Sequence, residues 1–168
     1  MPEALSIREQ ALRQLKANFV SQKKGVPTTD PYDFKWDVVQ RQPLSAESEG
    51  KEYALAIIEG TEQKIPQISS QTSTLQVTLE WTHICPKAMD PTEAFNRVLW
   101  NIQRRIRDRS IDARTLGNPA LVTDIREIAN RQESIDDAID RLIAGTVFVQ
   151  ILYKHDEDDP RVVPGGSI

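Results

Sequence analysis

The chain is 168 residues long, with 21 Lys and Arg against 25 Asp and Glu, a formal charge of −4. That length suits one domain and buries roughly 70% of the unfolded surface. The charge balance excludes a polycation that grips nucleic acid by bulk attraction. A hydrophobic content of 39% in periodic blocks excludes disorder, and a single cysteine excludes an internal disulfide or a CxxC zinc site. No apolar run reaches the roughly 18 to 20 residues of a membrane span. The first residues lack the basic and apolar regions of a secretory leader, so a reducing cytoplasm is the expected setting.

Helix signals open at Ser6, where Ser6-Ile7-Arg8-Glu9 fits a capping box. Ile7, Ala11, Leu15 and Phe19 follow at a spacing of four, with Leu12 alongside, predicting a helix to about Gln22. Phe34, Trp36 and Val38 alternate with polar residues and predict a strand. Residues 42–51 read as a polar loop, and Tyr53 to Ile58 as an inner strand. Residues 60–73, rich in Gln, Ser and Thr, read as a second polar loop carrying Glu62, Lys64 and Gln67. Thr74 to Cys85 is the clearest strand. Leu75, Val77, Leu79, Trp81 and His83 share one face, opposite Thr74, Gln76, Thr78, Glu80 and Thr82.

A second helix is announced by Asp90 as N-cap, Pro91 at its first position and Glu93 at its third. Phe95, Val98, Leu99, Ile102 and Ile106 mark its apolar face, and Asp108 to Ser110 close it. Trp100 lies off that stripe and reads as either flank packing or a subunit contact. Residues 111–123 look irregular. Ala120 to Gln132 fits a short helix through Leu121, Ile125 and Ile128, or the start of a strand, with a loop at Asp136-Asp137. Gly145 to His155 is a strand, with Val147, Val149, Ile151 and Tyr153 on one face. Loop composition at 162–168 predicts a flexible tail after a domain spanning 1–161. The expected fold is therefore a single α+β domain. It has an antiparallel or mixed sheet of about four to five strands with two main helices on one face.

Catalytic motifs are missing from the sequence: it holds no Walker A, GxGxxG, GxSxG or HExxH pattern. His83 and Cys85 share a strand face but lack further metal ligands nearby, so His83 reads as a strand-end histidine at a sheet edge and Cys85 as a structural thiol. Asp156, Glu157, Asp158 and Asp159 form a run of hard-cation ligand type without the glycine of a calcium loop, which favours a solvated turn. No catalytic, cofactor or metal site is expected. The arginines Arg104, Arg105, Arg107, Arg109 and Arg114 admit two accounts. They complement the C-terminal dipole of the second helix, or they meet acidic groups of a neighbouring subunit, Asp156 to Asp159 among them.

Element order and several segments together carry a resemblance. They are Ile7-Arg8-Glu9-Gln10-Ala11-Leu12, Tyr53-Ala54-Leu55-Ala56-Ile57-Ile58-Glu59-Gly60, Leu75-Gln76-Val77-Thr78-Leu79-Glu80-Trp81, Pro91-Thr92-Glu93-Ala94-Phe95-Asn96, and Gly145 through His155 with Asp159-Pro160-Arg161. The chain resembles the tail terminator, or tail completion, proteins of long-tailed bacteriophages over about residues 5–161. The resemblance implies a structural virion protein of the tail or neck, assembled in the host cytoplasm. It implies a homohexameric ring on the tail tube protein that stops tube growth and joins the neck or connector protein. In contractile tails such a ring also holds sheath protein, and genomic DNA passes through the lumen without specific binding. No catalytic residue is carried over. Six copies at −4 each give a ring of about −24, whose lumen would repel phosphates, with Asp156 to Asp159, Glu59 and Glu62 as candidate lining acids. Alternatives are another head–tail connector, stopper or tube-like ring subunit and, from a different class, a metal-dependent enzyme.

Overall fold

A computed structural model describes residues 5–25, 32–44, 50–67, 70–136 and 141–156. The expected tail at 162–168 lies outside the described residues, as do Glu157, Asp158 and Asp159. The elements are α1 (Ile7–Val20), β1 (Val38–Gln40), β2 (Tyr53–Gln67), β3 (Ser70–Cys85), α2 (Pro91–Ile106), β4 (Asp124–Asp136) and β5 (Arg141–Asp156). They form one five-stranded sheet in the order β1-β2-β3-β5-β4, antiparallel except for the parallel β1–β2 pair. This is the expected α+β architecture with a mixed sheet.

α1 starts where its cap predicts: the Ser6 hydroxyl oxygen accepts from the Glu9 amide at 3.3 Å. The return half of the capping box is not formed. Glu9 turns outward instead and accepts from Arg13 at 2.7 Å and Arg41 at 2.8 Å, since ion pairing holds a carboxylate more strongly than a neutral amide does. α2 is capped by Asp90, whose Oδ1 accepts from the amides of Thr92 (2.9 Å) and Glu93 (3.0 Å), with Pro91 needing no acceptor.

β3 and β5 form the spine of the sheet, in unbroken register from Ser70 opposite Asp156 to Cys85 opposite Arg141. Their front faces bury Leu75, Val77, Leu79 and Trp81, and Val147, Val149, Ile151 and Tyr153. The stripes of both helices pack into the same cluster: Ile7, Leu12, Leu15 and Phe19 from α1, and Phe95, Val98, Ile102 and Ile106 from α2. The back face keeps the polar row Thr74, Gln76, Thr78, Glu80 and Thr82. Gly145 is required by this packing. A Cβ there would stand 2.6 Å from Cζ2 of Trp81 and 2.8 Å from Phe95, so the indole ring lies directly on the β5 backbone.

Four expectations are corrected. Residues 60–67 and 70–73 are not a loop: β2 and β3 pair through them to Gln67 opposite Ser70, while 68 and 69 lie outside the described residues. The outer strand has no core to face, so it carries no hydrophobic alternation and reads as polar. Gly60 sits at the register shift between Glu59 and Glu62, where a Cβ would meet the Gln76 carbonyl at 2.9 Å. Phe34 and Trp36 are buried, but only Val38–Gln40 joins the sheet. Their alternation reflects an extended chain laid over the core rather than a ladder. Residues 124–136 form a strand, so of the two readings of 120–132 the strand holds and the helix does not; Asp136 ends the strand, and Asp137 lies outside the described residues. Two register shifts, at Glu127/Ala129 and Gln132/Ser134, break its period of two and leave Ile128 exposed. Finally, His83 lies on a central strand, not at a sheet edge.

Candidate functional site

At the C-terminal end of α2 the arginine cluster divides into an inward and an outward set. Arg105 points inward and is 5% exposed. It donates to the Asn18 carbonyl (2.6 Å), Ser21 Oγ (2.7 Å) and Asp108 Oδ2 (3.0 Å). Asp108 also accepts from the Tyr32 hydroxyl at 2.5 Å and from the amide and hydroxyl of Ser110. Burial pushes the Asp108 carboxyl up, but the Ser110, Tyr32 and Arg105 contacts outweigh it and hold the group below the usual carboxylate range. Tyr32 is driven up to about 12 by burial and by its bond to Asp108. Arg105 is thus committed inside the protomer, pinning the end of α1 to the end of α2. It lies on the buried row Ala94, Val98, Asn101 and Arg105 of α2.

The outward set is different. The Arg104 guanidinium lies 4.6 Å over the Trp100 ring and 5.5 Å over Tyr32. Arg107 and Arg109 are exposed. Arg114 donates to Asp124 at 2.8 and 3.0 Å. Trp100, Gln103, Arg104, Arg107 and Asp108 line an open cleft of about 360 Å³. Trp100 is 48% exposed, with Arg104 stacked on its ring.

A second polar cluster gathers at the distal end of the β2–β3 hairpin. Glu62 accepts from the Tyr153 hydroxyl at 2.6 Å and Arg8 at 3.1 Å. Burial raises the Glu62 carboxyl, but Tyr153, Ser73, Lys64 and Arg8 together bring it below its ordinary value. Arg8 also reaches Glu59 at 3.0 Å, and Arg41 bridges Glu9 to Glu59. Both Glu59 and Glu62 are therefore ion-paired with arginines of their own chain. Hydrogen bonds from Arg41 and then Arg13 hold Glu9 down at about 2. This network ties the first turn of α1 to the hairpin. Lys64 and Gln67 are exposed on β2 beyond it.

Ser73 and His155, 82 residues apart, meet behind Glu62 with Oγ and Nε2 at 3.3 Å. His155 Nδ1 donates to the Asp156 carbonyl at 2.8 Å, so in the neutral ring Nε2 accepts from Ser73. No sequence signal links them. A serine beside an oriented histidine is nucleophile-and-base chemistry; Ser73 is 0% and His155 4% exposed, and of the two only His155 lines the small cleft formed with Arg8, Glu62, Lys64 and Tyr153. The pair closes the polar interior of the cluster.

His83 stacks on Tyr53 at 4.3 Å, and Tyr53 on Phe34 at 3.9 Å, forming a three-ring column. Its Nδ1 donates to the Glu52 carbonyl at 3.1 Å. Burial pulls the imidazole below its ordinary value. Cys85 is buried with its Sγ near the Pro86 and Met89 carbonyls, and burial pushes the thiol up. Among the described residues, no three His, Cys, Asp or Glu side chains come together as a metal site. No described helix is long and apolar enough to cross a membrane. No family model matches the chain, and no curated protein matches it.

Proposed function

We propose that the chain is a structural ring subunit of a long-tailed phage, a tail terminator that caps the tail tube and joins it to the neck. The sequence resemblance suggests this reading, and one structural observation supports it: the sheet is open at two edges of opposite direction. Among the described residues, β4 pairs only with β5, and β2 beyond Ala56 pairs only with β3. β2 runs antiparallel to β3, β3 to β5 and β5 to β4, so β2 and β4 are themselves antiparallel. Head-to-tail addition of copies would therefore extend one antiparallel sheet around a closed ring. Both edges are guarded against indiscriminate pairing, by two register shifts and charged side chains on β4 and by Pro66 on β2. A specific partner, not random edge contact, fits such strands.

The test is electron microscopy of tails assembled with and without this protein, alongside native mass spectrometry. Tubes of unregulated length in its absence and a six-copy ring in its presence are expected. Normal-length tails that lack only head attachment would move the protein to another neck ring. A chain that stays monomeric with tube protein present would overturn the ring.

A further inference from the structure

We propose that copies of the chain join through unlike edges in one register: β4 of one copy pairs with residues 57–67 of β2 in the next, and Lys64 stands opposite Glu127. The inference rests on the ring reading and adds to it the register and the charge pair that specify the joint. Face matching limits the choice of register. Lys64 lies opposite Ser73, and Glu127 opposite Val149. Both therefore sit on the helix-covered side of the sheet. Lys64 lines the small cleft with Arg8, Glu62 and Tyr153, and Glu127 accepts from Gln103 of α2 at 3.1 Å. A slip of one residue would turn every side chain to the wrong face. The nearest registers that keep the faces matched put Ile125 or Asn130 opposite Lys64, and neither carries a charge. With Glu127 there, Ile65 stands opposite Arg126 on the other face.

Charge selects this register and this partner. Lys64 is exposed and holds no carboxylate at ion-pair distance among the described residues. Glu62 beside it is taken up by Arg8 and Tyr153. Glu127 is held only by neutral donors, Gln103 and, at 2.8 Å, Asn130. By contrast Glu59, Glu62, Asp124 and Glu133 each hold an arginine of their own chain. Each free edge thus presents one charge not matched within the protomer, and the two signs are opposite. An isologous joint, β4 on β4 or β2 on β2, would bring like charges together instead, which destabilises a strand pair. Each edge also exposes one isoleucine, Ile65 at 58% and Ile128 at 53%, and joining unlike edges brings both into the joint.

The test is a charge swap with disulfide trapping, using the full chain. By sedimentation, Lys64→Glu and Glu127→Lys should each weaken self-association roughly tenfold or more. The double variant Lys64→Glu with Glu127→Lys should recover most of it, and Lys23→Glu, exposed away from both edges, should leave it unchanged. Circular dichroism checks that each variant folds. Failure of the double variant to recover, or single variants that assemble like the parent, would overturn the proposal. For trapping, Ile65→Cys and Arg126→Cys chains are mixed and oxidised, the native Cys85 being buried. A mixed disulfide between the two is expected; disulfides within one variant alone would assign the joint to like edges and overturn it. A chain carrying both cysteines should link into a ladder that stops at six. A ladder that stops elsewhere or runs on would remove the six-copy ring and keep the joint. A ring seen by native mass spectrometry without any trapped disulfide would remove the joint and keep the ring, and a chain that never associates would overturn both.

Discussion

Arg105→Met separates the inward arginine from its exposed neighbours. The change keeps most of the aliphatic volume and removes the guanidinium. Four bonds go with it, to Asn18, Ser21, Asp108 and, at 3.5 Å, the Tyr32 hydroxyl, and Asp108, 6% exposed, keeps a charge without its cation. Breaking a buried ion pair from one side costs about 3–5 kcal/mol. Asp108 retains its bonds from Tyr32 and Ser110, so about 3 kcal/mol is expected. At this chain length that lowers Tm by roughly 6–12 °C. The assay is urea and thermal unfolding followed by circular dichroism, with Arg107→Met as the surface control, within about 0.5 kcal/mol of the parent. A second measurement checks the cause. Losing Arg105 removes an interaction that lowers the Asp108 pKa, so the deficit of the variant should narrow as pH falls and Asp108 protonates. If Arg105→Met matches Arg107→Met, or its deficit is independent of pH, the internal latch is wrong.

Further outcomes follow from the packing and the caps. Gly145→Ala forces a methyl into the Trp81 and Phe95 rings and should cost about 1–3 kcal/mol, read as a lower urea midpoint with altered near-ultraviolet dichroism. An unchanged midpoint would mean the indole has room to move. Asp90→Ala removes the acceptor for the Thr92 and Glu93 amides and should cost about 1 kcal/mol, while Asp90→Ser should restore most of it. His83 has a folded pKa below its ordinary 6.5 because it is buried neutral. The unfolded chain then binds the extra proton, so stability is full above about 6.5 and declines as pH falls toward the folded value. Urea midpoints from pH 7.5 to 5 should show this slope, and His83→Gln should flatten it; an identical slope in the variant would place the titration elsewhere.

Local signals in the sequence were enough wherever one side chain's neighbours are near it in the chain. The Asp90-Pro91 start of α2, the Ser6 start of α1 and the strict alternation of β3 and β5 all follow from chemistry within a few residues. They also settle the front of the sheet and the helix faces that cover it, hence the α+β class. What depends on distant partners was illegible. The distal half of β2 is exposed and joined to the rest by ladder pairing and the Arg8–Glu59–Glu62 contacts, and β4 buries Ile125 but has its period broken by two register shifts, so neither prints a clean period of two on the sequence. The same limit holds at the sites. Charge and spacing marked the arginines of α2 as a group, yet only packing against α1 and Tyr32 turned Arg105 inward and left Trp100, Arg104 and Arg107 on the outside. The −4 balance and single-domain length came from composition. Which arginines meet a carboxylate of their own chain was decided by the tertiary structure, because ion pairing is a matter of angstroms between elements rather than of residue counts.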